Sequence, residues 1–325
     1  MILPYMLRLV CLCFASFFLV HAALGFTGWM AAAGAMRASE SMRPREAARF
    51  LLAFRMLPGA LAILAVGGLC IPSYLWLERN AAGEKVGVGC SLAAVLGAVI
   101  FARSLLRGLR ALWKSVRHAE QCEREGQHVE RGASGGPIVV MNGEAPLMAL
   151  AGVIRPRIII SRSVLRTLTR EEFEAALEHE RAHRKSHDNF KRLLLAVTPE
   201  IFPFSRAFVA VDRCWARLTE WAADDDAAAG DSCRALSLAA ALVRIAQMGA
   251  APPLAPLESS LLQADGDIRA RVERLLGGIP VRHPVRELRA MLAGAIALVT
   301  AAVFALMLWP ATLYSVHTLL EHLLR

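Results

Sequence analysis

Ionisable residues are scarce in this chain, and their scarcity is uneven. Only 20% of the 325 residues are Asp, Glu, Lys or Arg, and none of these occurs from Leu9 to Met36, from Met56 to Leu77 or from Ala290 to Leu320. With 56% hydrophobic residues and a mean hydropathy of +0.43, the composition excludes an ordinary soluble domain. Each uncharged run is long enough to cross a bilayer as a helix. Val86 to Ala102 is shorter. It is glycine-rich and has no polar face for water, so it spans with Arg103 snorkelling. The sequence therefore predicts four transmembrane helices, over about 9–36, 56–77, 86–106 and within 287–325.

No internal repeat or low-complexity tract is present, which excludes solenoid and linker-type architectures. The seven cysteines lack metal-type spacing. Four of them (Cys11, Cys13, Cys70, Cys90) fall in or beside spans, and Cys122, Cys214 and Cys233 are expected as reduced thiols. Nor does the first apolar run end like a signal peptide: it is too long, and the charges after it mark an anchor. Arg37, Arg43, Arg45, Arg49 and Arg55 follow the first span; Arg103, Arg107, Arg110, Lys114 and Arg117 follow the third. By the positive-inside rule both groups are cytoplasmic, both termini face outward, and the segment from about Ser104 to Arg289 lies in the cytoplasm of a bacterial-type inner membrane. These cations account for the net charge of +9 without a nucleic-acid partner.

Within that segment, Glu120 to Pro137 is polar and glycine-rich and is expected as a loop. Short β-type runs follow at Ile138 to Met141, Ala149 to Val153 and Arg157 to Ser161, separated by turn signals. Thr169 and Glu172 form a capping-box pair, predicting a helix from Arg170 to about Ser186. Further helices are predicted from near Asp188, from Arg206 to Ala229 and from Ile268 to Leu276. The division is three N-terminal spans with a basic loop (1–110), an α+β domain (111–286), and the fourth span with a short tail (287–325).

On the Arg170 helix, Phe173, Ala176 and Leu177 form an apolar stripe whose continuation reaches His179, Glu180 and His183. Burying such groups unpartnered would cost several kcal/mol, and zinc is the simplest partner. Imidazoles at i and i+4 share a face and suit tetrahedral coordination, with Glu180 beside the open position as a general base. A chance pattern of this kind arises about once per hundred chains and usually on a solvated face; this one lies on the buried stripe. Asn189 stands where a third histidine would complete a metzincin-type site. The third ligand is therefore expected to be Glu220, in Glu220-Trp221-Ala222-Ala223-Asp224, with Asp224 accepting a ligand histidine's free ring N–H. Pairing with Arg217 is the bland alternative for Glu220. Asp188 is a second candidate acceptor for a ligand histidine, or else a helix cap. His187 is too far along to share the zinc. Asp225 and Asp226 are expected in solvent, as are His118, His128 and His283. His21 and His317, inside apolar runs, are expected to make interhelical hydrogen bonds.

At these residues the chain resembles the BlaR/MecR-type family of membrane zinc metallopeptidases. The likeness runs through Ala145-Pro146, Gly152 to Ile160, Leu168 to Glu172, Leu177 to His183 with Asp188, and Glu220 to Asp224. It implies a gluzincin-like domain between spans three and four, one zinc per chain, and proteolysis in signal transduction, often of a cytosolic repressor. Only Glu321 to Arg325 follow the last span, so an attached penicillin-binding sensor is not expected and a sensor would be a separate membrane protein. The motif pair is shared with HtpX and CAAX-protease relatives in membrane-protein quality control, although no hydrophobic hairpin separates His183 from Glu220 here. A zinc-binding module without turnover and a purely structural zinc are the non-enzymatic alternatives; neither needs Glu180. Substrate is expected to add as a strand along the Arg157 to Ser161 edge.

Overall fold

The computed structural model describes residues 5–77, 86–129, 138–201, 205–249, 254–261 and 268–277, together with 314, 315 and 318. Three helical segments in it are long and apolar enough to cross a membrane. They are α1 (Tyr5–Glu40), α2 (Pro44–Ala65), which continues through a π-helical turn (Val66–Cys70) into α3 (Ile71–Leu77), and α4 (Val88–Glu125). The predicted fourth span, and with it His283 and His317, lies outside the described residues. At 1.5 Å per residue α1 and α4 are each about 55 Å long, against about 30 Å of hydrocarbon, so both project well beyond it. Gly97 lets α4 touch the Phe14 carbonyl of α1, where a Cβ would overlap it.

Over residues 120–129 helix and strand stand where a loop is expected, and 130–137 lie outside the described residues. Helix continues to Glu125, and β1 (Gln127–Val129) follows at once. Glu120–Arg124 and Gln121–Glu125 pairs at i, i+4 support the polar face. Ala119 and Cys122 on the other face pack against the sheet.

Five strands pair in the order β1-β2-β4-β3-β5, where β2 is Ile138–Met141, β3 Met148–Ala151, β4 Arg157–Ser161 and β5 Ser259–Ser260. Only β2 and β4 run parallel. Alternation gives β2, β3 and β4 two buried faces. Ile138, Val140, Leu150, Ile158 and Ile160 pack on the main helical layer, while Val139, Ala149 and Ile159 pack on α4. Because β4 is hydrogen-bonded on both sides, it is interior and cannot accept a substrate strand. The expectation of an edge at Arg157 to Ser161 is therefore corrected. Among the described residues the outer strands are β1 and β5.

After β4 come α5 (Arg162–Thr167), α6 (Arg170–Ser186), α7 (Asp188–Val197), α8 (Arg206–Ala228), α9 (Ser232–Gln247) and α10 (Ile268–Leu276). The capping box opens α6 as expected: Thr169 Oγ1 accepts from the Glu172 amide at 3.3 Å and Glu172 returns the bond at 2.9 Å. Helix α8 is shared between two cores. Its Val211, Trp215 and Leu218 stripe packs on Ala32, Ala35, Ala47 and Leu51 of α1 and α2, while its end approaches α6.

Candidate metal centre

Local sequence explains how the site is assembled. Helix α6 brings Phe173, Ala176 and Leu177 into the core, and one turn on the same stripe carries His179, Glu180 and His183 to complete burial. His187 ends α6 in the left-handed region at φ 54° and starts α7. That turn folds Asp188 back onto His183, Nδ1 to Oδ2 at 2.8 Å. The adjacent Asn189 donates to the Leu150 and Gly152 carbonyls at 2.8 and 2.7 Å, tying the turn to β3. Gly152 has φ +87°, a conformation that L side chains rarely adopt.

From α8, Glu220 and Asp224 reach the same point one turn apart. Glu220 oxygens lie 3.5 Å from His179 Nε2 and 3.6 Å from His183 Nε2. Asp224 Oδ1 lies 3.0 Å from His179 Nδ1. Arg217 does not pair with Glu220 but sits over the Trp221 ring at 5.3 Å. His179, His183 and Glu220 are all buried and offer ligand atoms within 4.8 Å of one another.

One residue of the site was not anticipated. Arg271 of α10 is fully buried and grips Asp224 with two nitrogens, at 2.6 and 2.9 Å. It also donates to the Leu261 carbonyl at 2.8 Å and lies 3.3 Å from Glu220. The signal was present in the sequence. Ile268, Val272 and Leu275 form the apolar stripe of α10, and Arg271 interrupts it as the histidines interrupt that of α6.

Electrostatics follow from burial and charge count. Burial pushes the Glu180 carboxyl up to about 7, against the pull of His179 and His183. Burial pulls the His183 imidazole down, but Glu220 and Asp188 outweigh it and push it up to about 10. Glu220 is held well below the carboxylate range, its burial being overcome by the two histidines and Arg271. Asp224, likewise buried, is brought down to about 2 chiefly by Arg271. The site is thus anion-rich and draws positive charge to its centre.

Asp225, Asp226 and His118 depart from expectation. Asp225 is not in open solvent but bonded to Arg274 at 2.5 Å, and Asp226 pairs with Arg45. His118 is half-buried, with Nδ1 2.8 Å from Glu258, because α4 carries it against the β5 segment. His187 is exposed. His21 is buried, stacks on Phe17 and bonds the Pro199 carbonyl at 3.2 Å. His128 lies on β1.

Two histidines and a glutamate around one point, with a buried glutamate beside them, form the donor set of a hydrolytic metal site. Comparison with known proteins agrees in class. The model of BlaR1 peptidase M56 matches residues 79–275, which include every residue of this centre. A search among curated proteins finds no match. The match covers more than half of the chain, and the chain belongs to the BlaR1 peptidase M56 family, the membrane-associated metallopeptidases.

Proposed function

We propose that this chain is a zinc-dependent endopeptidase with a gluzincin-like site, in which His179, His183 and Glu220 hold the metal and Glu180 is the catalytic base. The observation that carries the proposal is the convergence of the two imidazoles and the Glu220 carboxylate on one buried point. Nδ1 of each histidine faces a carboxylate, Asp224 or Asp188, and that contact places the ring hydrogen on Nδ1. The Nε2 atoms, 3.1 Å apart, converge with the Glu220 oxygens on one point, where a positive charge, a shared proton in the free protein and a metal ion in the loaded one, is held. Ligand nitrogens on tetrahedral zinc lie about 3.3 Å apart, given bonds of about 2.0–2.1 Å. Glu180 supports the same reading, because both its buried oxygens lack a hydrogen-bond partner and neither a structural metal nor an inert module needs such a group.

When bound, zinc supplies a Lewis acid that polarises the scissile carbonyl and lowers the pKa of water. Glu180 takes the proton of the attacking water on a carboxylate oxygen and delivers it to the leaving amine nitrogen. Asp188 and Asp224 fix the tautomers, and Arg271 keeps Asp224 and Glu220 ionised and in place. The product is a hydrolysed peptide bond.

The layout proposed around this site is four spans, a peptidase domain over 111–286 with α4 as its shared element, and a cytoplasmic active site that cleaves a repressor-like protein on a signal from a sensor membrane protein. The test begins with metal content and peptide cleavage of two purified variants. Glu180→Gln should keep zinc and lose at least 100-fold in rate, on the scale of general base catalysis; Glu220→Ala should lose both metal and activity. Full zinc and full rate in Glu220→Ala would remove it as a ligand.

A further inference from the structure

Helix α4 leaves the apolar run with a charge pattern that the peptidase reading does not use. From Val88 to Ala119 it carries Arg103, Arg107, Arg110, Lys114 and Arg117 and no acidic residue. Spacings of four, three, four and three place these cations on one stripe. Beside them Leu106, Leu109 and Trp113 are 49%, 52% and 55% exposed. A face meant for water would not be so apolar, and a face meant for hydrocarbon would not hold cations. The combination fits the boundary between the two.

A groove of about 650 Å³ runs along this stripe. Val99, Ala102 and Leu106 line its apolar end, and Arg103, Arg110 and Lys114 its cationic end. The fourth cation in it, Arg107, is already held: it bonds Glu200 at 2.6 Å and the Ala196 and Thr198 carbonyls at 2.8 and 2.7 Å. Arg103, Arg110 and Lys114 are exposed and form no ion pair with any described residue.

We propose that this groove is a binding site for an anionic phospholipid, with the phosphate held by Arg103, Arg110 and Lys114 and the acyl chains lying along Val99 and Leu106. Charge complementarity requires an anion, and the apolar end continuous with the uncharged run of α4 selects a lipid over free phosphate. The occupant sits one side chain from α7, because Arg107 at the floor of the groove also ties down the end of that helix.

The test uses the full-length protein, delipidated in neutral detergent and titrated with phosphatidylglycerol, phosphatidylcholine or inorganic phosphate. Native mass spectrometry and thermal unfolding are the readouts. Phosphatidylglycerol should form a one-to-one adduct and raise Tm, and the other two should not. The triple variant Arg103→Gln/Arg110→Gln/Lys114→Gln should weaken that binding roughly 100-fold, at about fivefold per cation. A control of equal charge loss, Arg166→Gln/Arg170→Gln/Arg269→Gln, should bind like wild type. Zinc content checks folding, and Lys114→Gln alone, expected to lose about fivefold, serves if the triple variant does not fold. Equal binding of phosphatidylcholine, equal protection by phosphate, or undiminished phosphatidylglycerol binding by the triple variant would each overturn the proposal.

Discussion

A fully buried arginine needs its charge answered, and Arg271 has it answered twice, by Asp224 and by Glu220. Asp224 in turn faces the ring of His179, so the guanidinium acts on the metal site through another residue and is a positioning group. Removing one member of a buried ion pair leaves the other uncompensated and typically costs about 3–5 kcal/mol. Loss of support behind a ligand histidine lowers metal affinity about 10–100-fold. Arg271→Met should therefore lower both stability and zinc affinity, read by denaturant titration and by competition with a zinc chelator. The double variant Arg271→Met/Asp224→Asn should lose less than the sum of the two single changes, because the second removes the charge that the first orphans. Unchanged zinc affinity in Arg271→Met would reduce Arg271 to packing. At this scale the legible signal was a charged residue interrupting an apolar stripe. That signal singled out His179, Glu180 and His183; it was equally present at Arg271, which a helix prediction over Ile268 to Leu276 leaves unremarked. Glu258 carried no such signal. It lies in an irregular stretch, and its burial depends on His118 arriving from α4.

Elements differ in how far their local pattern determines them. Helix α6 was legible to its first residue, since cap, box and stripe agree. Helix α9 was not foreseen: Leu236 and Val243 are 58% and 40% exposed while Leu238, Leu242 and Ile245 are buried, so apolar residues occur on every side and the period blurs. The two-residue β5 leaves no periodic trace at all, yet it completes the sheet beside β3. One contact anchors the β5 segment to α4: His118 Nδ1 lies 2.8–2.9 Å from both Glu258 oxygens, and Glu258 also accepts from the Ala255 amide at 3.1 Å. His118 lies sixteen residues, about 24 Å, past Ala102, well beyond the apolar run. Its neighbours Cys122 and Glu258 push the imidazole up to about 10. A folded-state pKa above the unfolded value of about 6.5 means that the pair's contribution is complete below about pH 6.5. It fades as pH rises through about 10. Unfolding of the zinc-loaded protein followed from pH 6 to 10 should therefore show wild type losing its advantage over His118→Gln as pH rises. A constant gap between the two would place the contribution in packing.

Among the described residues the long apolar helices and the helices that carry the candidate site share cores. Helix α8 carries Glu220 on one side and packs Trp215 on α1 and α2 with the other. Helix α7 starts at Asp188, beside His183, and the Glu200 segment after it is held by Arg55 of α2 and Arg107 of α4. Gly108 admits Val197 so closely that a Cβ there would overlap it. On the proposed reading such joints matter to access, because Glu180, His179 and His183 are fully covered among the described residues and a peptide reaches them only when a covering element moves. The apolar runs were readable from composition alone, whereas these joints were not, since a shared core has no signature in either partner's sequence. The proposed orientation rests on ten Arg or Lys residues in two segments that the positive-inside rule assigns to the cytoplasm, and the proposed repressor-like substrate rests on family resemblance. The two parts fail separately, so the last experiment measures both. A cysteine placed at the exposed position Glu125, in a background without Cys233, should be labelled by a membrane-impermeant maleimide only after the inner membrane is opened; labelling in intact spheroplasts would reverse the topology. In the same cells, proteomes of wild type and Glu180→Gln should differ by a soluble transcription regulator cleaved only with the active enzyme. Cleaved membrane proteins in its place would assign the enzyme to quality control, and identical proteomes under every tested membrane stress would leave zinc binding without turnover as its role.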